Sequence, residues 1–180
     1  KVYPDICILG KALGNGYAIN AVMGKKEIMK SAEDTFISST FWTERIGPTA
    51  ALSTIKEMDR IKSWEIIKNR GKSIKSEWKS IAKSTGVDIE ISGIDSLPQF
   101  KILDEKYNYF KTYITQEMLK KGILATTTIY VSTSHTDKVL NIYFKNLKNI
   151  FKRMKKIKIE KNIEKYLNTE PAMQTFKRMN

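Results

Sequence analysis

The chain has 180 residues, of which 41% are hydrophobic and 28% are charged, so it is long enough to bury a core. Lysine and arginine outnumber aspartate and glutamate by 32 to 19, which gives a formal net charge of +13. No apolar run approaches the roughly 20 residues that a membrane-spanning helix needs, and the N-terminus lacks the layout of a signal peptide. The single cysteine, Cys7, cannot form an internal disulfide. The sequence therefore argues against a membrane or disulfide-rich secreted protein and favours a cytoplasmic one.

Much of the excess of basic over acidic residues lies in residues 141–180, especially in residues 151–161. A basic patch is the usual footprint of nucleic-acid binding, but no known nucleic-acid motif accompanies this one. Lysine, isoleucine and asparagine are abundant throughout the chain, as in proteins from AT-rich coding sequences. We interpret the charge as a solvated helix face and expect no nucleic-acid partner.

The first predicted element is a strand followed by a lysine. The apolar run of residues 6–9 is closed by a glycine and predicts a buried strand, although periodicity alone does not exclude a helix. Lys11 follows directly, at the kind of position where α/β proteins place their chemistry. Gly14 and Gly16 predict a turn, because glycine accepts positive φ and lets other groups approach the backbone. A lysine in a partly dry pocket attacks carbonyl groups, whereas the alternative is an ordinary lysine that reaches into water.

The next stretch combines hydroxyl groups with the start of a helix. Residues 36–43 predict a strand that runs into a loop, and Gly47-Pro48 opens a helix with an apolar stripe. Hydroxyl groups ahead of a helix N-terminus are suited to contact a phosphate, because free N–H groups point there. The alternative is a simple cap or a Ser/Thr-rich turn.

From residue 61 the chain alternates helices and short strands. The predicted elements are a long helix to about residue 86, strands at 88–92 and 99–103, a helix closing at 122, a β-prone run at 126–132 and a helix from about residue 136. This order predicts an α+β layer. His135 is the only histidine, and because no metal-ligand cluster or catalytic triad pattern accompanies it, we expect a structural role.

Residues 4–29 resemble the active-site lysine segment of class III aminotransferases, which depend on pyridoxal phosphate. The resemblance is nearest to the branch around glutamate-1-semialdehyde aminomutase. It rests on Pro4-Asp5, the apolar strand, Gly10-Lys11, the two turn glycines, and Gly24 ahead of a short helix at residues 25–32. It implies an α/β, fold-type-I transferase, in which Lys11 forms the internal aldimine with the cofactor. Residues 1–60 then correspond to the end of the large cofactor-binding domain, and residues 61–180 to the small C-terminal α+β domain.

The resemblance also implies a phosphate contact across a homodimer. In the family, a threonine ahead of a proline-started helix reaches the cofactor phosphate of the neighbouring subunit. Counting back from Pro48 favours Thr43, and matching Ser-Thr-Phe favours Thr40; we predict Thr43. The altered loop at Trp42, Glu44 and Arg45 resembles relatives that act in sugar or surface-polysaccharide pathways.

The resemblance covers only the C-terminal part of a complete family member. The N-terminal part of such a member supplies the glycine-rich loop that binds the phosphate, the aromatic residue that stacks on the cofactor ring, and the aspartate that pairs with the pyridine nitrogen. We therefore expect a C-terminal fragment that is inactive alone, taken from an enzyme that moves amino groups between or within small molecules. Aminotransferase and aminomutase remain alternatives, and so does a non-enzymatic basic binding protein or inactive remnant.

Overall fold

The computed structural model describes residues 2–41 and 43–173. The chain divides into two compact units, Lys1–Ser63 and Trp64–Asn180. Among the described residues, no helix has both the length and the apolar character that crossing a membrane requires.

The first unit begins with a two-stranded antiparallel hairpin. Strand β1, Ile6–Leu9, pairs with strand β2, Ala21–Gly24, with Ile6 opposite Gly24 and Leu9 opposite Ala21. An ion pair of 2.6 Å between Lys25 Nζ and Asp5 Oδ1 closes the open end of the hairpin. The strand predicted at residues 6–9 is therefore confirmed.

Three helical elements follow the hairpin in the first unit. Helix α1, Lys26–Met29, passes into a 3₁₀ helix, Lys30–Asp34, where one continuous short helix was predicted. Helix α2, Ile46–Ile61, begins beside Gly47-Pro48 as predicted and ends at Lys62, whose φ of 51° is left-handed.

Two expectations for the first unit are wrong. Strand β1 is not buried, because Ile6 and Ile8 are 49% and 74% exposed, and Cys7 is only half-buried. Among the described residues of this unit, β1 pairs only with β2, so no further strand covers it. Residues 36–41 and Thr43 form a loop and turns instead of a strand, and Trp42 lies outside the described residues. In this part of the loop the strand-prone residues have no neighbouring strand with which to pair.

The second unit follows the predicted order closely. It contains helix α3, Ser63–Thr85, of which only Ser63 belongs to the first unit. The elements that follow are strands β3, Ile89–Ser92, and β4, Gln99–Ile102, helix α4, Tyr107–Leu119, helix α5, Asp137–Glu160, and a 3₁₀ helix, Ile163–Tyr166. β3 and β4 pair antiparallel, with Ile91 opposite Phe100. The β-prone run at residues 126–132 forms only an isolated bridge, from Thr128 to Gln99. Its N–H and C=O groups still bond to the segment that leads into β4, including Ile129 N–H to the Pro98 carbonyl at 3.1 Å.

The core of the second unit joins α3, β3, β4, α4 and α5 through their apolar faces. Its largest fully buried side chains are Trp78, Phe100, Phe151, Ile74, Ile81, Ile102, Ile114, Met118, Leu147, Met154, Ile163 and Val87. The ring of Trp78 packs edge-on against Phe100 at 4.8 Å between centroids. Its indole N–H donates to the Tyr143 hydroxyl at 3.0 Å, so this polar pair is satisfied inside the core.

Candidate active site

Lys11 lies two residues beyond the end of β1, at the start of a 3₁₀ helix, Lys11–Leu13. Its φ of 50° is in the left-handed region, which residues other than glycine rarely adopt. Such a conformation costs on the order of 1 kcal/mol and persists only where the surrounding structure imposes it. Lys11 is therefore held in a defined and strained backbone conformation, although its side chain is exposed in this chain.

The two turn glycines have different roles. Gly16 has a φ of 108°, so its position does require glycine. Gly14 has an ordinary φ of −85°, but a Cβ there would lie 2.0 Å from the Tyr17 carbonyl oxygen. The prediction of positive φ is thus confirmed for Gly16, while Gly14 is required for close backbone approach.

Lys11 lines a cavity of about 570 Å³ within the first unit. The other lining residues come from the turn after Lys11 and from the loop and helix start that follow α1; they are Tyr17, Ala18, Ile19, Asn20, Ser39, Phe41, Glu44 and Pro48. Asn20 lies directly over the residue before Lys11, because a Cβ on Gly10 would be 2.3 Å from its Oδ1 atom. The structure therefore places the lysine beside the loop in which the sequence predicts a phosphate contact.

The first turn of α2 approaches this cavity closely. A Cβ on Gly47 would lie 3.0 Å from the Ala18 carbonyl oxygen and 3.2 Å from Ile19 Cβ, so glycine permits the contact. Glu44 caps the helix: its Oε1 accepts the Ile46 N–H, and its Oε2 accepts the Gly47 N–H at 3.3 Å. This cap is not among the features predicted from the sequence. An acidic residue just ahead of a helix start was the available signal.

Neither predicted threonine lines the cavity that contains Lys11. Thr40 and Thr43 are both exposed and lie in turns on either side of Trp42. The Phe41 N–H, next to Thr40, bonds to Ser39 Oγ at 3.2 Å. Both threonines thus remain available to a group outside this unit, and the assignment of the phosphate contact to Thr43 stays a prediction.

His135 closes the loop that leads into α5. Its Nδ1 atom accepts the Ser132 N–H at 2.9 Å and lies 3.1 Å from the Ser132 hydroxyl oxygen. On the other side of the loop, Arg70 donates to the carbonyl oxygens of Ser132 and Thr133, at 3.3 and 2.6 Å. These bonds fit the structural role expected for His135.

The residues of the first unit fit pyridoxal phosphate at the point where the cofactor would meet the amine of Lys11. Lys11 provides a primary amine, and a cavity of about 570 Å³ falls within the range of about 300–1,000 Å³ that is usual for small-molecule sites. At the phosphate end, the N–H groups of Ile46 and Gly47 are already bonded to Glu44. A phosphate near the start of α2 would therefore need hydrogen-bond donors from the loop ahead of the helix.

The relatives of this chain include an aminotransferase and an aminomutase. The chain is 31% identical over 116 residues to a 3-aminobutyryl-CoA aminotransferase of Cloacimonas acidaminovorans, covering 64% of this chain and 28% of the relative. It is 30% identical over 161 residues to a glutamate-1-semialdehyde 2,1-aminomutase of Sulfurisphaera tokodaii, covering 79% of this chain and 38% of the relative.

Solved structures with the same fold include several transaminases. The FumI protein of Sphingopyxis sp. MTA144, determined in its PLP internal aldimine form, superposes with a TM-score of 0.78 at 19% identity, covering 93% of this chain and 39% of FumI. Acetylornithine aminotransferase of Elizabethkingia anophelis superposes with a TM-score of 0.73 at 23% identity, covering 83% of this chain and 39% of that enzyme. The predicted fold, part of a fold-type-I transferase, is confirmed.

The chain spans well under half the length of these relatives, between 28% and 39%. Residues 1–157 match the aminotransferase class-III family. This match includes Lys11, the turn glycines and the start of α2, and it extends through most of α5. The chain therefore belongs to the class-III aminotransferases, a family of enzymes that use pyridoxal phosphate.

Proposed function

We propose that the protein to which this chain belongs is a pyridoxal-phosphate-dependent aminotransferase in which Lys11 is the catalytic amine. The observation that supports the proposal best is the position of Lys11: a strained residue beyond β1 that lines a cavity of ligand size. Lys11 would bind the cofactor through Nζ and later hold and move a proton at that atom. Pyridoxal phosphate, when bound, supplies a carbonyl group for amines and an electron sink.

Other residues of the first unit would support this chemistry. Gly14 and Gly16 fix the turn after Lys11, and Gly47 keeps the start of α2 against that turn. Thr43 would contact the cofactor phosphate of the neighbouring subunit, with Thr40 as the alternative. The substrates would be a small-molecule amino donor and acceptor. A role in sugar or surface-polysaccharide metabolism is proposed from the loop residues Trp42, Glu44 and Arg45.

The test is a titration of the full-length protein with pyridoxal phosphate. The wild-type protein should develop a visible absorption band, and borohydride should fix one pyridoxyl group on Lys11, as read by peptide mass spectrometry. Lys11→Ala should lose the band, the label and turnover, while Lys26→Ala, at an exposed lysine of α1, should retain all three. Labelling of other lysines with none on Lys11 would contradict the proposal.

An aminomutase is the second candidate, because several relatives carry that name, among them the Sulfurisphaera enzyme. An aminotransferase needs an amino donor and an acceptor, whereas an aminomutase rearranges a single substrate. Turnover of one amino aldehyde without any added donor or acceptor would favour the aminomutase. Absence of any cofactor labelling in the full-length protein would instead favour the remaining alternative, a basic binding protein or inactive remnant.

We also propose that the full-length enzyme is a homodimer. The support is an apolar surface on the first unit, formed by Phe41, Leu52, Ile55 and Met58, which are between 40% and 60% exposed. Leu52, Ile55 and Met58 recur every three residues along α2, and exposed apolar side chains grouped in this way usually mark an interaction surface. In a two-fold dimer the two sites would be equivalent.

A further inference from the structure

The start of α2 differs from an ordinary anion-binding helix N-terminus, because an internal carboxylate already occupies it. Glu44 accepts the N–H groups of both Ile46 and Gly47. Pro48 has no N–H to offer, and the Thr49 N–H bonds to the Arg45 carbonyl at 3.0 Å. Among residues 46–49, which the structure describes, no backbone N–H is left for a phosphate.

The same residue also ties the loop to the helix. The backbone N–H of Glu44 bonds to the Phe41 carbonyl at 3.1 Å, while its side chain bonds forward to Ile46 and Gly47. Thr43 is the covalent neighbour of Glu44, so these bonds at Glu44 restrict where the Thr43 backbone and hydroxyl can lie. Glu44 is half-buried and lines the cavity that contains Lys11.

From this arrangement we infer that Glu44 is a positioning residue for the cofactor phosphate. The inference rests on the proposed function and on Thr43 as the phosphate contact. The Glu44 carboxylate occupies the position that a phosphate would take at the α2 N-terminus, where the Ile46 and Gly47 N–H groups and the helix dipole stabilise a negative charge. The cofactor phosphate of the neighbouring subunit is then bound through the Thr43 loop, which Glu44 holds in place, and not through the helix itself.

The test compares two ligands that differ only in the phosphate. Full-length wild-type protein and the variants Glu44→Ala, Glu44→Gln and Arg45→Ala are titrated with pyridoxal phosphate and with pyridoxal. Glu44→Ala should lose about tenfold or more in affinity for pyridoxal phosphate, the effect of losing one hydrogen bond to a charged group. Its affinity for pyridoxal should stay unchanged. Glu44→Gln should fall between Glu44→Ala and wild type, because its amide oxygen still accepts one N–H.

Arg45→Ala is the matched control, because Arg45 is exposed at the same helix start and its side chain makes no capping bond. It should bind both ligands like the wild-type protein. Equal losses for both ligands in Glu44→Ala would show a purely structural role and overturn the inference. Unchanged or tighter binding of pyridoxal phosphate would overturn it too, since Glu44 would then only compete with the phosphate.

Amide hydrogen exchange without cofactor gives a second readout. Exchange at Ile46 and Gly47 should accelerate in Glu44→Ala and stay at the wild-type rate in Arg45→Ala. Wild-type exchange rates at both amides in Glu44→Ala would show that the cap does not exist, and would overturn the inference even if the proposed function holds. Failure of the wild-type protein to bind either ligand would overturn the proposed function itself, and this inference with it.

Discussion

Gly71→Ala, in α3, should destabilise the protein, although helix propensity alone predicts that alanine would stabilise it. Alanine is favoured over glycine in a helix interior by about 1 kcal/mol. Gly71 is buried, however, and a Cβ there would lie 1.7 Å from the Asp95 carbonyl oxygen and 3.0 Å from Asp95 Cα. Asp95 lies in the turn between β3 and β4, so helix and turn meet at this glycine without space for a methyl group.

The size of this destabilisation depends on which atoms must move to make room for the new methyl group. The obstructing atoms are main-chain atoms, and the turn is tied to α3 by an ion pair of 2.6 Å between Lys75 Nζ and Asp95 Oδ1. Overpacking of a fitted contact costs about 1–3 kcal/mol, and an overlap this severe belongs at the upper end. Subtracting the propensity gain of about 1 kcal/mol leaves a net destabilisation of about 2 kcal/mol for Gly71→Ala.

Urea unfolding followed by far-UV circular dichroism measures this difference. The control is Ser73→Ala, an exposed position two residues further along α3, which should change the free energy of unfolding by less than about 0.5 kcal/mol. If Gly71→Ala is as stable as the wild-type protein or more stable, the close contact between α3 and the turn at Asp95 does not exist.

Three further predictions concern the second unit and the assembly. Tyr143→Phe should cost about 1–3 kcal/mol in urea unfolding, because it leaves the buried Trp78 N–H without its acceptor; no loss would mean that another group accepts it. Burial opposes ionisation of Glu117, but Lys120, Gln116 and Arg153 outweigh it and hold its pKa below the usual range. The stability that Glu117 contributes is thus fully present above its ordinary pKa of about 4.3 and is lost as the pH falls through its lowered folded-state pKa, so Glu117→Gln should be destabilising at pH 7 and progressively less so as the pH falls below about 4. In sedimentation the isolated chain should self-associate and the full-length protein should be a defined dimer; monomers in both cases would contradict the interface on α2.

The sequence by itself determined the elements whose pattern is local. The apolar spacing from Ile67 to Ile81 predicts α3, and the positions of Leu140, Leu147 and Met154 predict the inner face of α5. The apolar run and glycines around Lys11 predicted the strand, the turn and, through the family resemblance, the class of chemistry. These features depend on residues within a few positions of one another, which is why they can be read along the chain.

Only the tertiary structure decided the features that depend on contacts between distant residues. β-propensity predicted strands at residues 36–43 and 126–132, but a strand also needs a partner, and the described parts of these runs form a loop and a single bridge. The apolar spacing of α3 gives Gly71 no special role, whereas the structure fills the space beside it with the Asp95 backbone, 24 residues further along the chain. Glu44 likewise gained its role from where its carboxylate meets the first N–H groups of α2, a geometry that residue type alone does not specify.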